Sequence, residues 1–494
     1  MSSFSETFIE TINKIQGNGN FCFQNEMNFI HPGLEIEGIG EIGLPLEKET
    51  AKKIIDVAKK APFGKGSKTI IDNAVRNTWE LDPQSFKLNN PDWEKLMNGI
   101  LKEIKAGLGI EEGNIKASLY KLLLYEKDNF FIRHKDSEKE AGMFATLTIC
   151  LPSTFEGGEL SVFFDGKIVS IDFSKSSKYK IAFAAFYADC EHEIALVKNG
   201  YKLSLIYNLI LEQTEKKIHL EKNSVYVTQI SDLLKKSEDT FNLKPKIFIL
   251  EHQYTPKNFN EGTLKLRDKQ IVRTIAEAAK NANYYAKLCL LTHYKMGELE
   301  SDDGYGYGDY YNKSKPGTDG SMGEVYEEIT TLENWADDNL PSLGVVPAEN
   351  ADIINPVNFD EGLPINEEEE GYTGNAGMTI EYWYHYGAVA LYPANKINDL
   401  LINSTEKVAL EWLTYFVGNK NNESPEIVKS VVHSLLNFAP DDNFHQGSFD
   451  YSSLVNILKQ YKTENWFNMA LPVLINKFEQ ISDDKGLELF ELLP

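Results

Sequence analysis

The chain has 494 residues, 42% of them hydrophobic, and its 74 acidic side chains outnumber 50 Lys and Arg to give a formal charge of -24. This length has room for ~3 domains at about 150 residues each, and the composition is that of a globular protein with ample core material. Such acidity argues against a general binder of nucleic-acid phosphates, but not against a local basic groove or a basic peptide as substrate.

The opening sequence MSSFSETFIETINKIQGNGN has no basic stretch leading into an apolar one, so no secretory signal is expected. No apolar run reaches the ~20 residues of a membrane span, and a cytoplasmic location is expected. Cys22, Cys150, Cys190 and Cys289 are scattered without a CxxC, the pattern of reduced buried thiols, although a bridge between Cys150 and Cys190 stays open.

Residues 1–115 read as an α/β segment packing on the core that follows. Leu34 to Ile36, with Ile39, Ile42 and Leu44, suggests short strands broken by glycines. Glu47–Ala61 has Ala51, Ile54, Ile55 and Ala58 on one helical face. The stretch GKGSKT, Gly64–Thr69, lacks the four-residue gap of a phosphate loop and follows no strand, so it is read as a basic, glycine-rich loop. A second helix starts with Asn90 as cap and Pro91 in its first turn, and carries Trp93, Leu96, Met97, Ile100, Leu101 and Ile104 as an apolar stripe.

Residues 116–212 carry the chemistry. His134 and Asp136 follow the apolar run Phe130-Phe131-Ile132; side chains two apart on a strand share a face, so both can reach one ion. Leu147, Ile149 and Leu151 alternate with Thr146, Thr148 and Cys150 in a second strand. A turn at Gly157-Gly158 precedes Leu160-Val162-Phe164. On a returning strand Cys190, His192 and Ile194 share one face; Glu191 and Glu193 occupy the other, as solvated residues or as supports behind the ligand. After a turn at Asn199-Gly200, the strand Tyr201–Leu209 sets Lys202, Ser204 and Ile206 on one side.

Two imidazoles and a carboxylate form the facial set that suits Fe(II) and leaves three positions open. A cation on a neighbouring strand can hold the far end of a small dicarboxylate chelated at the metal. Each residue alone says little: HxD triplets arise by chance, a lone His192 is most often a satisfied histidine, and a lone Lys202 a solvated one. Their conjunction at this spacing is what points to a site. Zinc and cupin-like isomerase sites draw on the same donors.

The segment closely resembles the 2-oxoglutarate/Fe(II) dioxygenases of the prolyl 4-hydroxylase type, strongly over residues 115–210 and more loosely in the helical part before them. The resemblance implies an α+β protein whose core is a double-stranded β-helix (jelly roll) braced by N-terminal helices. It assigns His134, Asp136 and His192 to iron and Lys202 to the distal carboxylate of 2-oxoglutarate, these four carrying the chemistry. Tyr125 takes the place of a tyrosine lining the co-substrate pocket. Thr148 and Cys150 fall where relatives often have a tyrosine, and Thr148 is taken as a pocket residue. The co-substrates implied are 2-oxoglutarate and O2, the products succinate, CO2 and a hydroxylated substrate, with ascorbate as the supporting reductant.

Beyond residue 212 the pattern changes. Residues 213–396 form a mixed accessory region: β-like runs at Ile218–Val227 and Pro245–Leu250, a helix near Gln229–Ser237, and a longer helix over Ile271–Leu291 carrying Ile275, Ala279, Ala282, Ala286 and Leu290. The acidic, Gly- and Tyr-rich stretch 298–328 reads as a solvated loop, with an active-site flap as the functional alternative. Glu367–Glu370 lacks the alternating ligands of a calcium loop and reads as solvated. The cluster Tyr382-Trp383-Tyr384-His385-Tyr386 is explained by strand packing more economically than by a ligand cage. Residues 397–494 read as helical, with stripes over Thr405–Val417, Pro425–Phe438, Tyr451–Tyr461 and Asn465–Ile481 but no strict repeat. A mostly helical C-terminal accessory region is therefore expected. Three functions compete: a prolyl hydroxylase-like enzyme acting on a protein or peptide, a small-molecule hydroxylase, and a non-catalytic scaffold. The intact ligand set counts against the last.

Overall fold

The structure is a computed structural model. It describes residues 3–418 apart from 66–67, 111–112, 137, 177, 213–223, 238–240, 242–243, 257–258, 301–320, 337–339, 360–365, 371–378 and 403. It is a mixed α/β architecture dominated by antiparallel strands.

Two sheets contribute to the first core. The larger has the order Cys22–Asn28, Lys180–Tyr187, Met143–Leu151, Lys202–Glu212, Asn114–Tyr125, Trp79–Leu81, Lys59–Lys60. The smaller runs Lys167–Ile171, Leu160–Phe164, Glu191–Ile194, Phe130–His134, Arg76–Asn77. Met143–Leu151 sits inside the larger sheet and is buried along its whole length. Its alternation gives it two different faces. Leu147, Ile149 and Leu151 stand opposite Tyr207, Leu205 and Leu203. The helix Asp92–Gly107 braces this face, its Trp93 Nε1 donating to the Tyr207 hydroxyl at 3.1 Å. The expected stripe is what the helix buries: Trp93, Leu96, Met97, Ile100 and Ile104. Asn90 accepts from the Asp92 amide at 3.0 Å, capping its start.

The other face of the same strand looks toward the smaller sheet. Thr146, Thr148 and Cys150 pair with Asn208, Ile206 and Ser204 on one side and with Phe186, Ala184 and Ala182 on the other. Direct cross-strand partners share a face, so these nine residues line one surface.

Several local expectations are corrected. The helix expected over Glu47–Ala61 is Lys48–Val57, because Lys59–Lys60 pairs with Trp79 and Glu80 at the sheet edge. Of the stretch read as a loop, Gly64, Lys65, Lys68 and Thr69 lie in two short paired strands, Phe63–Lys65 and Lys68–Ile70. Asn199-Gly200 is not a turn: both lie in the strand Val197–Gly200, which pairs with Phe155–Gly157. Gly200 has φ +76°, and a Cβ there would meet the Thr154 carbonyl oxygen at 2.1 Å, so only glycine fits. All four cysteines are buried and free, which removes the Cys150–Cys190 bridge.

Within the mixed region 213–396 the chain builds a six-stranded antiparallel sheet. Its longest strands are Tyr284–Glu300, Ser321–Glu333 and Thr379–Pro393. The helix expected over Ile271–Leu291 is Leu266–Asn281; Asn283 then takes φ +60° and the chain becomes strand. Ala286 and Leu290 are strand residues. Leu288 and Leu290 pack into one core while Cys289 and Leu291 pack into another. A strand buried on both faces reads as a continuous apolar run and mimics a helix. Val225 to Val227, expected in a strand, lie in the helix Ser224–Lys236. Tyr382–Tyr386 do lie in a strand, and Glu367–Glu370 form another beside it. Part of the 298–328 stretch is strand, and its centre falls outside the described residues. The helix Glu406–Gly418 matches the Thr405–Val417 expectation, while the three later helices lie outside the described residues. The N-terminal helix Phe4–Ile12 joins this second core through Phe8 and Ile12. No described helix is long and apolar enough to cross a membrane.

Leu147 is fully buried in the first core. Leu147→Ala is expected to lower unfolding stability by about 2–5 kcal/mol through lost burial and a residual cavity, as measured by denaturant titration.

Candidate metal centre

The three expected ligands converge. His134, Asp136 and His192 each offer one donor atom, and these atoms all lie within 4.8 Å of one another. Strand pairing does the first part of this work: His134 closes the strand Phe130–His134 directly opposite His192 on Glu191–Ile194. The ring centroids are 4.2 Å apart. His134 Nδ1 lies 2.8 Å from the Ile132 carbonyl oxygen and His192 Nδ1 lies 3.3 Å from that of Cys190. Since a carbonyl only accepts, each Nδ1 carries the proton and each Nε2 is left as the donor nitrogen for a metal.

Asp136 arrives by another route than expected. The strand ends at His134, so strand alternation does not orient the carboxylate. Thr146, on the inward face of the larger sheet, donates to Asp136 Oδ2 at 2.5 Å, and the same oxygen lies 3.7 Å from His192 Nε2. Phe131 stacks on His134 at 3.5 Å and Phe186 lies 4.5 Å from the His192 ring, walling the imidazoles with hydrocarbon.

This environment disfavours protonation of the histidine. Burial and the neighbouring His192 push His134 well down, to about 3, against the opposing pull of Asp136. Burial works to raise Asp136, but His192, His134 and the Thr146 hydrogen bond outweigh it, and the carboxyl stays below its ordinary range. Neutral imidazoles beside an ionised carboxylate are the protonation states that bind a divalent cation.

Lys202 stands at the other end of the same surface. It is 1% exposed, donates to the Gly158 carbonyl at 2.8 Å, and lies over the rings of Phe173 and Tyr125 at 5.3 and 5.5 Å. Tyr125 is its direct cross-strand partner. Among the described residues no carboxylate lies within ion-pair distance of the ammonium. Burial lowers its pKa to about 8. Thr148 lies between the two ends, on the inward face and buried. From Thr146, at the ligands, to Cys150, beside Lys202, the strand advances about 13 Å over four residues. The cross-strand partners of Thr148 and Cys150 on one side are the small side chains Ala184 and Ala182.

Two features were not singled out from the sequence. The Ser204 hydroxyl is buried with no hydrogen-bond partner, although it sits on the face that also carries Lys202. Arg76 lies over the Phe131 ring at 4.5 Å, and its Nε is likewise buried without a partner. Ser204 had a signal, its spacing of two from Lys202. Arg76 had none, since a lone arginine in a short edge strand resembles any other. An ammonium and a hydroxyl left without an anionic partner fit a carboxylate ligand, and the donor set at the other end fits a divalent cation such as Fe(II).

No protein-family model and no curated protein matches the chain. Among solved structures it is similar to a prolyl-4-hydroxylase from Pseudomonas putida, at 15% identity over 42% of this chain and 100% of that one, with a TM-score of 0.26. It is also similar to an oxidoreductase of the 2OG-Fe(II) oxygenase family from Burkholderia pseudomallei, at 12% identity over 44% and 95%, TM-score 0.24. A third is a prolyl hydroxylase from Trichoplax adhaerens in complex with a hypoxia inducible factor oxygen degradation domain peptide fragment, at 14% identity over 41% and 88%, TM-score 0.24. At such scores the likenesses carry no argument about activity, which rests on the side chains.

The lowered pKa of His134 has a consequence for the metal-free protein. Between about 6.5, the ordinary imidazole value, and about 3 the unfolded chain binds a proton that the folded chain does not. Stability therefore falls as pH drops through this window. The denaturation midpoint should decrease from pH 6.5 toward 3, and His134→Gln should flatten that dependence.

Proposed function

We propose that this protein is an Fe(II)- and 2-oxoglutarate-dependent dioxygenase that hydroxylates a protein or peptide substrate in the manner of a prolyl hydroxylase. The observation that carries the reading is a pair of half-sites along the inward face of the larger sheet, whose Thr146 holds Asp136 at one end and whose Lys202 lies at the other. A two-histidine, one-aspartate cluster lies at one end, and a buried ammonium with an unsatisfied hydroxyl lies at the other. The two antiparallel sheets that contribute these residues support a jelly-roll core over residues 116–212, braced by residues 1–115, with residues 213–396 and 397–494 as accessory parts. The preference for a protein or peptide over a small molecule rests on the large accessory part of the chain, which suits a macromolecular substrate.

His134, Asp136 and His192 would hold the iron through Nε2, a carboxylate oxygen and Nε2. When bound, iron with 2-oxoglutarate and O2 supplies an oxidation that converts the keto acid to succinate and CO2 while one oxygen atom reaches the substrate. The chain's own residues do the rest. Thr146 fixes the Asp136 carboxylate by donating to one of its oxygens, which leaves the other free to turn to the metal. Lys202 pairs with the distal carboxylate of 2-oxoglutarate, and Ser204 donates a second hydrogen bond to it. In a pocket this dry, a charge-assisted contact is much stronger than in water. Tyr125 and Thr148 border the bound co-substrate. Phe131 and Phe186 exclude water from the imidazoles.

Two experiments test the reading. His134→Ala should abolish Fe(II) binding and 2-oxoglutarate-dependent succinate formation; retained metal and turnover would remove it from the ligand set. Lys202→Met should weaken 2-oxoglutarate by about 10–100-fold, the worth of one charge-assisted hydrogen bond of ~1.5–3 kcal/mol, with metal binding retained. Calorimetric titration of each partner separates the two effects.

A further inference from the structure

One short segment of the accessory region touches both loops that deliver the proposed metal ligands. The strand Lys246–Gln253 ends in Glu251-His252-Gln253, followed by Tyr254-Thr255. Gln253 Oε1 accepts from Lys135 at 2.9 Å, and Lys135 is the residue between His134 and Asp136. Thr255 donates to Glu138, two residues past Asp136. On the other side stands Asp189, three residues before His192. Its Oδ2 accepts from His252 Nδ1 at 2.9 Å and from the Gln253 amide at 3.2 Å. Its Oδ1 accepts from Lys265 Nζ at 2.7 Å. All three charged or titratable side chains are buried: His252 is 0% exposed, Asp189 and Lys265 8% each. The His252 ring also stacks at 4.3 Å on Phe164, whose strand pairs Val162 with His192.

The segment is itself held from behind. Asp268, at the start of the helix Leu266–Asn281, accepts from the Glu251 and His252 amides and from the Tyr254 hydroxyl, each at 2.9 Å. Thus a rigid sheet end, anchored on a helix, bridges the His134–Asp136 loop and the Asp189–His192 loop.

We infer that residues 251–255 form a clamp from the accessory sheet that sets the spacing of the metal ligands, with Asp189 and Gln253 as its positioning residues. The inference rests on the metal-site reading above. Neither residue touches a donor atom. Gln253 tethers the backbone on which His134 and Asp136 sit, because Lys135 cannot keep its hydrogen bond while that loop shifts. Asp189 fixes the approach of the His192 strand by accepting three hydrogen bonds from the accessory region. Without the clamp, Asp136, which lies outside any strand, keeps the Thr146 hydrogen bond and the nearby His192 ring as its guides.

The test is a titration of the full-length, metal-stripped chain with Co(II) alone, read by calorimetry and visible absorption, beside a thermal melt without metal. Gln253→Ala should weaken Co(II) about tenfold, the usual cost of losing a support behind a metal ligand, while the metal-free melting temperature holds. Gln253→Glu, which can still accept from Lys135, should restore the affinity. Asp189→Asn with Lys265→Met removes the ion pair without leaving one buried charge alone and should also weaken Co(II). Unchanged affinity in both Gln253→Ala and the double variant would overturn the clamp. Absence of Co(II) binding by the unaltered chain would overturn the metal-site reading, and the clamp with it.

Discussion

Three polar donors crowded within 4.8 Å, two of them imidazoles beside aromatic rings, are costly for a folded chain to hold in the absence of a cation. Everything around them works to keep them there. Cross-strand pairing fixes the two histidines, a threonine from the facing sheet fixes the carboxylate, and backbone carbonyls fix which nitrogen of each ring is protonated. Charged groups gathered in a partly dehydrated place are more often a sign of chemistry than of stability. The same holds at the far end of the surface, where an ammonium is buried against a backbone carbonyl and two aromatic rings. A sheet optimised for packing alone would put leucine at both places.

The central strand shows how one element serves two purposes. Its outer face carries Leu147, Ile149 and Leu151 and meets the residues braced by the Asp92–Gly107 helix, which makes the sheet rigid. Its inner face carries Thr146, Thr148 and Cys150, small or polar residues that leave room and offer hydrogen bonds. A slip of one residue in pairing would exchange the two sets. The apolar face is therefore what guarantees the register of the polar one.

Much of this was legible in the residues. The spacing of His134 and His192 points to the cluster that the structure brings together, and the alternation over Leu147 to Leu151 gives the right two faces. Asp136 was found for a partly wrong reason: strand period two pointed to it, but the strand stops at His134 and a tertiary hydrogen bond does the orienting. The helix expected over Ile271–Leu291 failed in its second half because Tyr284–Glu300 is buried on both faces, and periodicity cannot distinguish such a strand from a buried helix. Asp189, His252 and Gln253 were invisible for a simpler reason. Their contacts join residues more than 60 apart in the chain, and no local pattern encodes them.

The sheet order also dictates when the protein can become competent during its synthesis. Cys22–Asn28 comes early in the chain, and its neighbour in the sheet among the described residues is Lys180–Tyr187, with Cys22 facing Phe186. The nascent chain must therefore carry an unpaired edge through about 160 further residues before the ribosome supplies its mate, and closing so long a loop is entropically slow. His192 emerges only just after that mate. The three side chains of the His134, Asp136 and His192 cluster therefore cannot converge until the chain has been made beyond His192, so the cluster belongs to the end of folding rather than to its nucleation.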